Sequence, residues 1–175
     1  FEAGHRLCAG CGAGIVCRAM MRAVDPGDKA VICNATGCLE VSSFQYPYTA
    51  WKDSYIHTAF ENTSATASGV EAAYQAMKKK GKLNQNFKIL AIGGDGGTYD
   101  IGFQSLSGAL ERGHDFTYFC YDNNAYMNTG TQRSSATPRY ASATTTPAGV
   151  ESVGKKQVQK DLTQIVVAHG SPYVA

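Results

Sequence analysis

Short apolar runs alternate along the chain with stretches whose apolar residues recur at helical spacing. The apolar runs have the length of buried strands and cover residues 30–34, 87–92 and 116–121. The helical stretches cover residues 12–24, 64–80, 100–112 and 160–169. Residues 129–154, rich in Ser, Thr, Pro and Gly, predict a long ordered loop, and residues 173–175 predict the start of another strand.

Strands that are apolar throughout and alternate with helices indicate a parallel sheet that is covered on both faces. We therefore expect an α/β fold, a mostly parallel sheet with helices on both faces, formed by residues 1–175 as one domain. Ligands of such sheets bind beyond the carboxyl ends of the strands. Two polar, glycine-rich clusters follow strands at that edge, at residues 94–97 and 122–130.

Composition narrows the class of protein. Hydrophobic residues make up 43% of the 175 residues, which is enough for a buried core. The net charge of +2 is too balanced to indicate a nucleic-acid partner. The apolar runs fall far short of the ~20 residues of a membrane span. Only 17% of the residues are charged, which indicates a surface covered by partner subunits. We expect a cytoplasmic protein that binds neither nucleic acid nor membrane.

Both ends of the chain predict a fragment. The first residue is Phe1 rather than Met, and no signal-peptide pattern follows it. The last residues, Pro172–Ala175, stop within an apolar pattern typical of a strand. We therefore expect a piece of a longer polypeptide that is truncated at its C-terminus.

The first candidate site combines two strand ends. Gly94-Asp95-Gly96 follows a strand and precedes a helix, where glycines let a phosphate approach the backbone and the helix N-terminus favours an anion. The Asp95 carboxylate and the amide oxygens of Asn123 and Asn124 are ligands that Mg²⁺ prefers. Each cluster alone is explained equally well as a turn. Together, with 26 residues between Gly96 and Asn123, they resemble the thiamine diphosphate motif of thiamine-dependent enzymes.

Six cysteines form the second signal. A C-x-x-C element and a later pair of cysteines are spaced like ligands; these are Cys8, Cys11, Cys33 and Cys38. From the spacing alone, a redox dithiol, a four-cysteine zinc site and an iron–sulfur cluster all remain open, although the context of a redox dithiol is missing. Cys17 and Cys120 lie in apolar surroundings and are expected to be plain buried thiols.

Four motifs of the chain match one protein family in the same order. They are Gly4–Gly12, Asn34–Cys38, Gly94–Gly102 and Asn128–Pro138. The chain resembles the thiamine-binding β subunit of 2-oxoacid:ferredoxin oxidoreductases, and among these it is most like the pyruvate enzyme. The match extends over nearly the whole chain, and its motifs are chemically distinct from one another.

The resemblance implies a site for thiamine diphosphate and Mg²⁺. Its cofactor-binding residues would be Cys38, Gly94, Asp95, Gly96, Gly97, Asn123, Asn124, Ala125, Tyr126, Met127 and Asn128. Within that set, the Mg²⁺ ligands would be the side chains of Asp95 and Asn123 and the main-chain carbonyl of Ala125.

The same resemblance implies an iron–sulfur centre and a catalytic residue. Cys8, Cys11 and Cys38 would ligate a 4Fe–4S cluster, with a fourth cysteine downstream of the last residue. Asn128 matches a family residue close to the reacting substrate and is the expected catalytic residue. Some relatives carry Glu two residues after the second cysteine, where this chain has Ala13.

The activity implied by the resemblance is thiamine-dependent oxidative decarboxylation of pyruvate to acetyl-CoA and CO2, or the reverse, with electrons passing through the cluster to ferredoxin. The implied partners are other subunits of the oxidoreductase (α, γ and δ types), ferredoxin, coenzyme A and the 2-oxoacid. Lys155 and Lys156 could attract ferredoxin or coenzyme A phosphates, although a plain solvated surface is the simpler interpretation. Alternatives are the same chemistry on oxalate, phenylglyoxylate, 2-oxoisovalerate or 2-oxoglutarate, and a non-catalytic, zinc-stabilised binding module.

Overall fold

The computed structural model describes all of residues 1–175, which form five α-helices, one π-helical turn and eight strands. The helices are α1 (Gly12–Arg22), α2 (Cys38–Ser43), α3 (Thr63–Lys79), α4 (Phe103–Glu111) and α5 (Leu162–Ala168), and the π-helical turn is Gly96–Ile101. The strands are β1 (Lys29–Ala35), β2 (Phe44–Gln45), β3 (Tyr48–Thr49), β4 (Ser54–Thr58), β5 (Phe87–Gly94), β6 (Thr117–Tyr121), β7 (Ala125–Tyr126) and β8 (Gln132–Arg133).

The main sheet is parallel and has the strand order β4, β1, β5, β6. Parallel neighbours cannot be joined by a tight hairpin, so the chain crosses over through helices and loops between them. Two short antiparallel pairs, β2 with β3 and β7 with β8, are separate from this sheet. The predicted fold class of a mostly parallel α/β sheet is confirmed.

Successive residues of the strands point into two different cores. Ile32 and Leu90 pack with Cys17 of α1. Cys33, the residue after Ile32, packs with Ala67 of α3. Because neighbouring side chains of a strand point to opposite faces, α1 and α3 must cover opposite sides of the sheet. Helices on both faces are therefore confirmed as well.

Several features differ from the sequence pattern, among them the short strands β2, β3, β7 and β8. The pattern does not predict α2, which is too short to show a helical period, or β4, whose residues at the sheet edge are only partly buried. The strand expected at residues 173–175 is wrong, because these residues pair with no strand. An apolar run becomes a strand only where a neighbouring strand accepts its backbone hydrogen bonds.

The long loop predicted at residues 129–154 is confirmed, except that it begins with strand β8. Between β8 and α5 the chain forms no regular element beyond two isolated bridges, at Ala143–Thr146 and Ala148–Val153. Lys155 of this loop is fully buried, so the interpretation of Lys155 as a surface charge is wrong, whereas Lys156 is exposed.

None of the helices combines the length and the apolar character that crossing a membrane requires.

Candidate functional site

Three strands end at one edge of the sheet and bring distant residues together. β1 ends at Ala35, β5 ends at Gly94 and β6 ends at Tyr121, and the three strands run in the same direction. The register places Gly94 opposite Tyr121. Asp95 and Asn123, which follow these two residues, therefore become neighbours, as the strand order expected from the sequence requires.

A cleft at this edge is lined by both polar clusters and by the segment after β1. The lining residues are Thr36, Gly37, Cys38, Phe60, Gly94, Asp95, Gly96, Gly97, Tyr121, Asn123, Ala125, Tyr126, Met127, Asn128 and Thr129. Of the predicted cofactor-binding residues, only Asn124 does not line the cleft. Its side chain donates to Asp122 Oδ1 at 2.8 Å and its φ is 69°, so it shapes the turn after β6.

Asp95 is a buried carboxylate with no positive side chain beside it. Its residue is only 1% exposed, and none of the ion pairs in the structure includes it. Burial raises the pKa of Asp95, and a hydrogen bond from the Ser134 hydroxyl to Oδ2 partly opposes that shift. A buried carboxylate without a counter-charge is costly, so this position favours a bound cation.

Three oxygen ligands converge at this position. The Asn123 amide directs one terminal atom at the Ala125 carbonyl oxygen, 2.8 Å away, and at Asp95 Oδ1, 2.9 Å away. With its NH2 group there, the amide donates to both oxygens. With its oxygen there, that oxygen lies from each of the other two at about the 2.9 Å expected for adjacent ligands of an octahedral Mg²⁺ with Mg–O distances of about 2.0–2.1 Å. The residues present therefore fit the ion.

The backbone provides the other half of the cleft. Gly96 and Gly97 begin the π-helical turn that leads into α4, and the first N–H groups of a helix have no partner within it. A Cβ on Gly96 would lie 2.2 Å from the Tyr126 ring, whose hydroxyl donates to the Gly96 carbonyl at 3.1 Å. Only glycine permits this contact, so the Gly96 backbone lines the cleft without a side chain of its own.

Asn128 stands at the mouth of the cleft. It lines the cleft, it is exposed, and its side-chain amide makes no hydrogen bond within the chain. An amide free at both ends can donate to or accept from a molecule in the cleft. The position therefore agrees with the substrate-contacting role expected for Asn128.

Residues 134–137 of the long loop form hydrogen bonds with residues in and beside the cleft, and we call this segment the clamp. The hydroxyl of Ser134 donates to Asp95 Oδ2, and the hydroxyl of Thr137 donates to the Asn124 carbonyl. The backbone N–H of Ser135 donates to Asp100 Oδ2 at 3.0 Å. Ser134 lies 39 residues from Asp95 in the sequence. The motif Asn128–Pro138 contains these residues, but nothing local in it indicates that they contact Asp95.

The predicted cluster ligands lie near one another. Cys8 is exposed, and the N–H of Cys11, the residue before α1, donates to the Cys8 carbonyl at 3.0 Å. Burial raises the pKa of the Cys38 thiol, and the neighbouring Cys11 and Cys8 add to that effect. No three histidine, cysteine, aspartate or glutamate side chains converge closely enough to hold a single metal ion.

Cys33 does not join this group. It is fully buried under α3, and burial raises its pKa to about 11. Cys17 and Cys120 are ordinary thiols too, with pKa values that burial raises to about 12. A four-cysteine zinc site needs four sulfurs about 2.3 Å from one ion, so the position of Cys33 argues against the zinc-stabilised module. A 4Fe–4S cluster spreads its thiolates over several irons, which suits the wider grouping of Cys8, Cys11 and Cys38.

The family model for the thiamine pyrophosphate enzyme, C-terminal TPP binding domain, matches residues 35–175. This range begins at the last residue of β1 and contains all the residues that line the cleft. The chain belongs to the thiamine pyrophosphate enzyme family. The three converging oxygens and the glycine turn thus lie within the segment that the family model matches.

Individual relatives agree with that membership. Pyruvate synthase subunit PorB of Methanocaldococcus jannaschii is 58% identical over 177 residues, which cover 100% of this chain and 59% of that protein. Ketoisovalerate oxidoreductase subunit VorB of Pyrococcus furiosus is 46% identical over 175 residues, which cover 100% of this chain and 56% of that protein. The resemblance to β subunits of 2-oxoacid:ferredoxin oxidoreductases is confirmed. The chain spans about half the length of the curated relatives it matches.

A solved structure has the same fold. A chain of 2-oxoglutarate:ferredoxin oxidoreductase from Magnetococcus marinus, with 2-oxoglutarate, coenzyme A and succinyl-CoA bound, superimposes with a TM-score of 0.77. The sequences are 24% identical, and the match covers 99% of this chain and 54% of that one. At this identity the comparison establishes the fold of the TPP-binding domain.

Proposed function

We propose that residues 1–175 form the thiamine diphosphate-binding domain of the catalytic β subunit of a pyruvate:ferredoxin oxidoreductase. The reaction is oxidative decarboxylation of pyruvate to acetyl-CoA and CO2, or its reverse. The observation that carries the proposal is the convergence of oxygens from Asp95, Asn123 and Ala125 beside the glycine turn. The similarity to pyruvate synthase subunit PorB over the whole chain supports the choice of pyruvate.

Thiamine diphosphate, when bound, supplies the carbanion chemistry by which a 2-oxoacid loses CO2. The residues of this chain bind and orient it. Asp95 and Asn123 stand at the ends of two paired strands, so the sheet itself sets the separation of the Mg²⁺ ligands. The N–H groups of Gly96 and Gly97 receive the diphosphate at the start of the helix. A rigid hold at this end keeps the reactive end of the cofactor in one orientation.

Asn128 is the proposed catalytic residue. Its amide donates a hydrogen bond to the substrate oxygen that gains negative charge, an interaction worth about 10²- to 10³-fold in kcat. Asn128→Ala should therefore lower kcat by roughly that factor and leave thiamine diphosphate affinity within about twofold. Steady-state kinetics and titration calorimetry on the intact complex measure the two effects, with Asn84→Ala at an exposed site as the matched control. Equal losses in kcat and in cofactor affinity would make Asn128 a cofactor ligand instead.

Cys8, Cys11 and Cys38 are proposed as three ligands of a 4Fe–4S cluster, with the fourth ligand outside these residues. Cys38 carries this part of the proposal, because it lines the cleft and also lies beside Cys8 and Cys11. A cluster there gives electrons a short path from the substrate to ferredoxin. The competing arrangement places the cluster on another subunit of the complex.

The proposed partners are the other subunits of the oxidoreductase (α, γ and δ types), ferredoxin, coenzyme A and the 2-oxoacid, all in the cytoplasm. The low share of charged residues, 17%, supports a surface that other subunits cover.

A second substrate has a specific argument in its favour. The 46% identity to ketoisovalerate oxidoreductase subunit VorB supports 2-oxoisovalerate as the alternative to pyruvate.

The intact complex, purified without oxygen, tests the proposed function. Turnover is measured with pyruvate, 2-oxoisovalerate, 2-oxoglutarate, oxalate and phenylglyoxylate, in the presence of coenzyme A and a viologen dye. We expect the highest kcat/KM with pyruvate and the release of thiamine diphosphate and magnesium on denaturation. A higher kcat/KM with 2-oxoisovalerate would reassign the substrate, and the absence of released thiamine diphosphate would contradict the proposed function altogether.

A further inference from the structure

Lys155 is a buried lysine that no carboxylate pairs with. The residue is completely excluded from solvent, and it takes part in none of the ion pairs of the structure. Its Nζ donates instead to two backbone carbonyls, that of Ser135 at 3.1 Å and that of Thr137. Lysine is almost never fully buried without a charged partner, so the burial of Lys155 requires an explanation.

The local backbone is built to place Lys155 there. The N–H of Lys155 donates to the Ala141 carbonyl at 3.1 Å, and the N–H of Tyr140 donates to the Lys155 carbonyl at 2.7 Å. The residue before it, Gly154, has φ of +78°, and a Cβ on it would lie 2.6 Å from the Tyr140 carbonyl oxygen. The side chain is therefore delivered into the interior by a turn that only glycine permits.

Both carbonyls that receive the ammonium belong to the clamp. On its other side the clamp directs its hydroxyl groups toward the cleft, from Ser134 to Asp95 and from Thr137 to the Asn124 carbonyl. A continuous series of hydrogen bonds thus connects Lys155, through the clamp, to the proposed Mg²⁺ ligand Asp95. Burial lowers the pKa of the Lys155 ammonium.

Asp100 holds the same segment from a second side. Its carboxylate accepts the N–H of Ser135 at 3.0 Å and also the Ser135 hydroxyl. Ser135 therefore lies between a carboxylate that receives its donors and an ammonium that binds its carbonyl. Opposite charges on the two sides therefore both favour the observed position of the clamp, in which the Ser134 hydroxyl contacts Asp95.

We propose that Lys155 is a positioning residue for the cation site: its ammonium locks the clamp so that Ser134 holds the Asp95 carboxylate in the orientation that binds Mg²⁺ and thiamine diphosphate. The inference rests on the proposed function in so far as the ligand is Mg²⁺–thiamine diphosphate. Outer partners of metal ligands affect metal affinity through orientation, and their loss typically costs about 10- to 100-fold.

The test uses Lys155→Met in the full-length subunit within its complex, with Lys156→Met at the exposed neighbour as the matched control. For Lys155→Met we expect the Kd of thiamine diphosphate at limiting Mg²⁺ to rise at least about tenfold, and amide exchange in residues 134–137 to become faster while exchange in β1 and β5 is unchanged. Lys156→Met should change neither quantity. An unchanged Kd with a lowered melting temperature would overturn the proposal, since Lys155 would then be merely structural.

A double-mutant cycle with Ser134→Ala shows whether Lys155 acts through the clamp. In the Ser134→Ala background, Lys155→Met should raise the Kd by less than about twofold, because the contact it controls is already gone. Full additivity of the two effects would contradict the proposed route. If Lys155→Met does not fold, Lys155→Gln, which removes the positive charge and shortens the side chain but remains polar, takes its place in the same cycle.

The exchange measurement separates this inference from the proposed function. If the wild-type complex binds no Mg²⁺–thiamine diphosphate, the proposed function fails. Faster exchange of residues 134–137 in Lys155→Met would then still show that Lys155 locks the clamp. If the wild type binds the cofactor and Lys155→Met binds it equally well, the inference about Lys155 alone fails.

Discussion

The two candidate centres of this chain differ in what holds them. Asp95 and Asn123 stand at the ends of paired parallel strands, and further hydrogen bonds from a distant loop support them. Cys8 and Cys11 precede the first helix, outside the sheet, and Cys8 is exposed. The oxygens of the first centre converge at 2.8–2.9 Å, whereas the thiols of the second do not converge on a point.

The contrast distinguishes a site whose geometry the fold sets before the ligand binds from a site whose geometry depends on the ligand. Strand ends are positioned by the hydrogen bonds of the whole sheet, so their geometry exists without the ligand. The segment that carries Cys8 and Cys11 has few such restraints, and metal binding to such thiols is coupled to their ordering. We therefore expect substitutions at the first centre to affect ligand affinity with little change in fold. Substitutions at the second centre should affect the cluster more than the affinity for thiamine diphosphate.

The largest effect is expected for Asp95→Asn. The change removes the only carboxylate among the three converging oxygens, so Mg²⁺-dependent affinity for thiamine diphosphate should fall by on the order of 100-fold. Folding raises the pKa of Asp95, so its ionised form at neutral pH lowers stability, and the neutral amide should melt at the same temperature or higher. Titration calorimetry and thermal unfolding of the subunit measure both effects.

Asp115→Asn is the control for this variant, since Asp115 is an exposed carboxylate away from the cleft. It should leave the affinity for thiamine diphosphate unchanged. If Asp95→Asn bound the cofactor as tightly as the wild type, Asp95 would not belong to the cation site. The contrast between a site set by the fold and a site that depends on its ligand would then no longer hold.

Cys38→Ser should have the next largest effect. Loss of one cluster ligand should lower the iron content of the complex and slow the reduction of ferredoxin by about 10- to 100-fold. Affinity for thiamine diphosphate should fall less than in Asp95→Asn, because Cys38 lines the cleft but Asp95 and the glycine turn are untouched. Iron analysis and visible absorbance under anaerobic conditions measure the cluster.

Cys33→Ala is the matched variant, as Cys33 is buried away from the other three cysteines. It should leave the iron content unchanged. Loss of metal in Cys33→Ala would favour the four-cysteine zinc site. Full iron content in Cys38→Ser would place the cluster on another subunit.

The smallest effects are expected from a pair of glycine substitutions. In Gly96→Ala the added Cβ meets the Tyr126 ring, so unfolding free energy should fall by about 1–3 kcal/mol and cofactor affinity by about tenfold. Gly69, an exposed residue of α3, has open space where a Cβ would lie, so Gly69→Ala should stabilise by about 0.5–1 kcal/mol. Denaturant unfolding of both variants measures the difference. A stabilised Gly96→Ala would mean that Tyr126 moves freely and does not shape the cleft.

Much of this molecule could be predicted from local sequence. The apolar runs predict β1, β5 and β6, and the order of strands and helices predicts their parallel arrangement. From that arrangement alone it follows that Asp95 and Asn123 share an edge, because parallel strands present their carboxyl ends together. The expectation failed at residues 173–175, where an apolar run has no strand to pair with.

The sequence by itself therefore determined the fold class, the family resemblance and the edge at which the cleft forms, since these depend on periodicity and on short motifs. The tertiary structure decided that Cys33 is a core thiol, that Asn124 shapes a turn, and that Lys155 lies inside the protein. It also decided that the clamp reaches Asp95 across 39 residues. Such contacts join segments that are distant along the chain, and no local pattern encodes them because only packing brings the segments together.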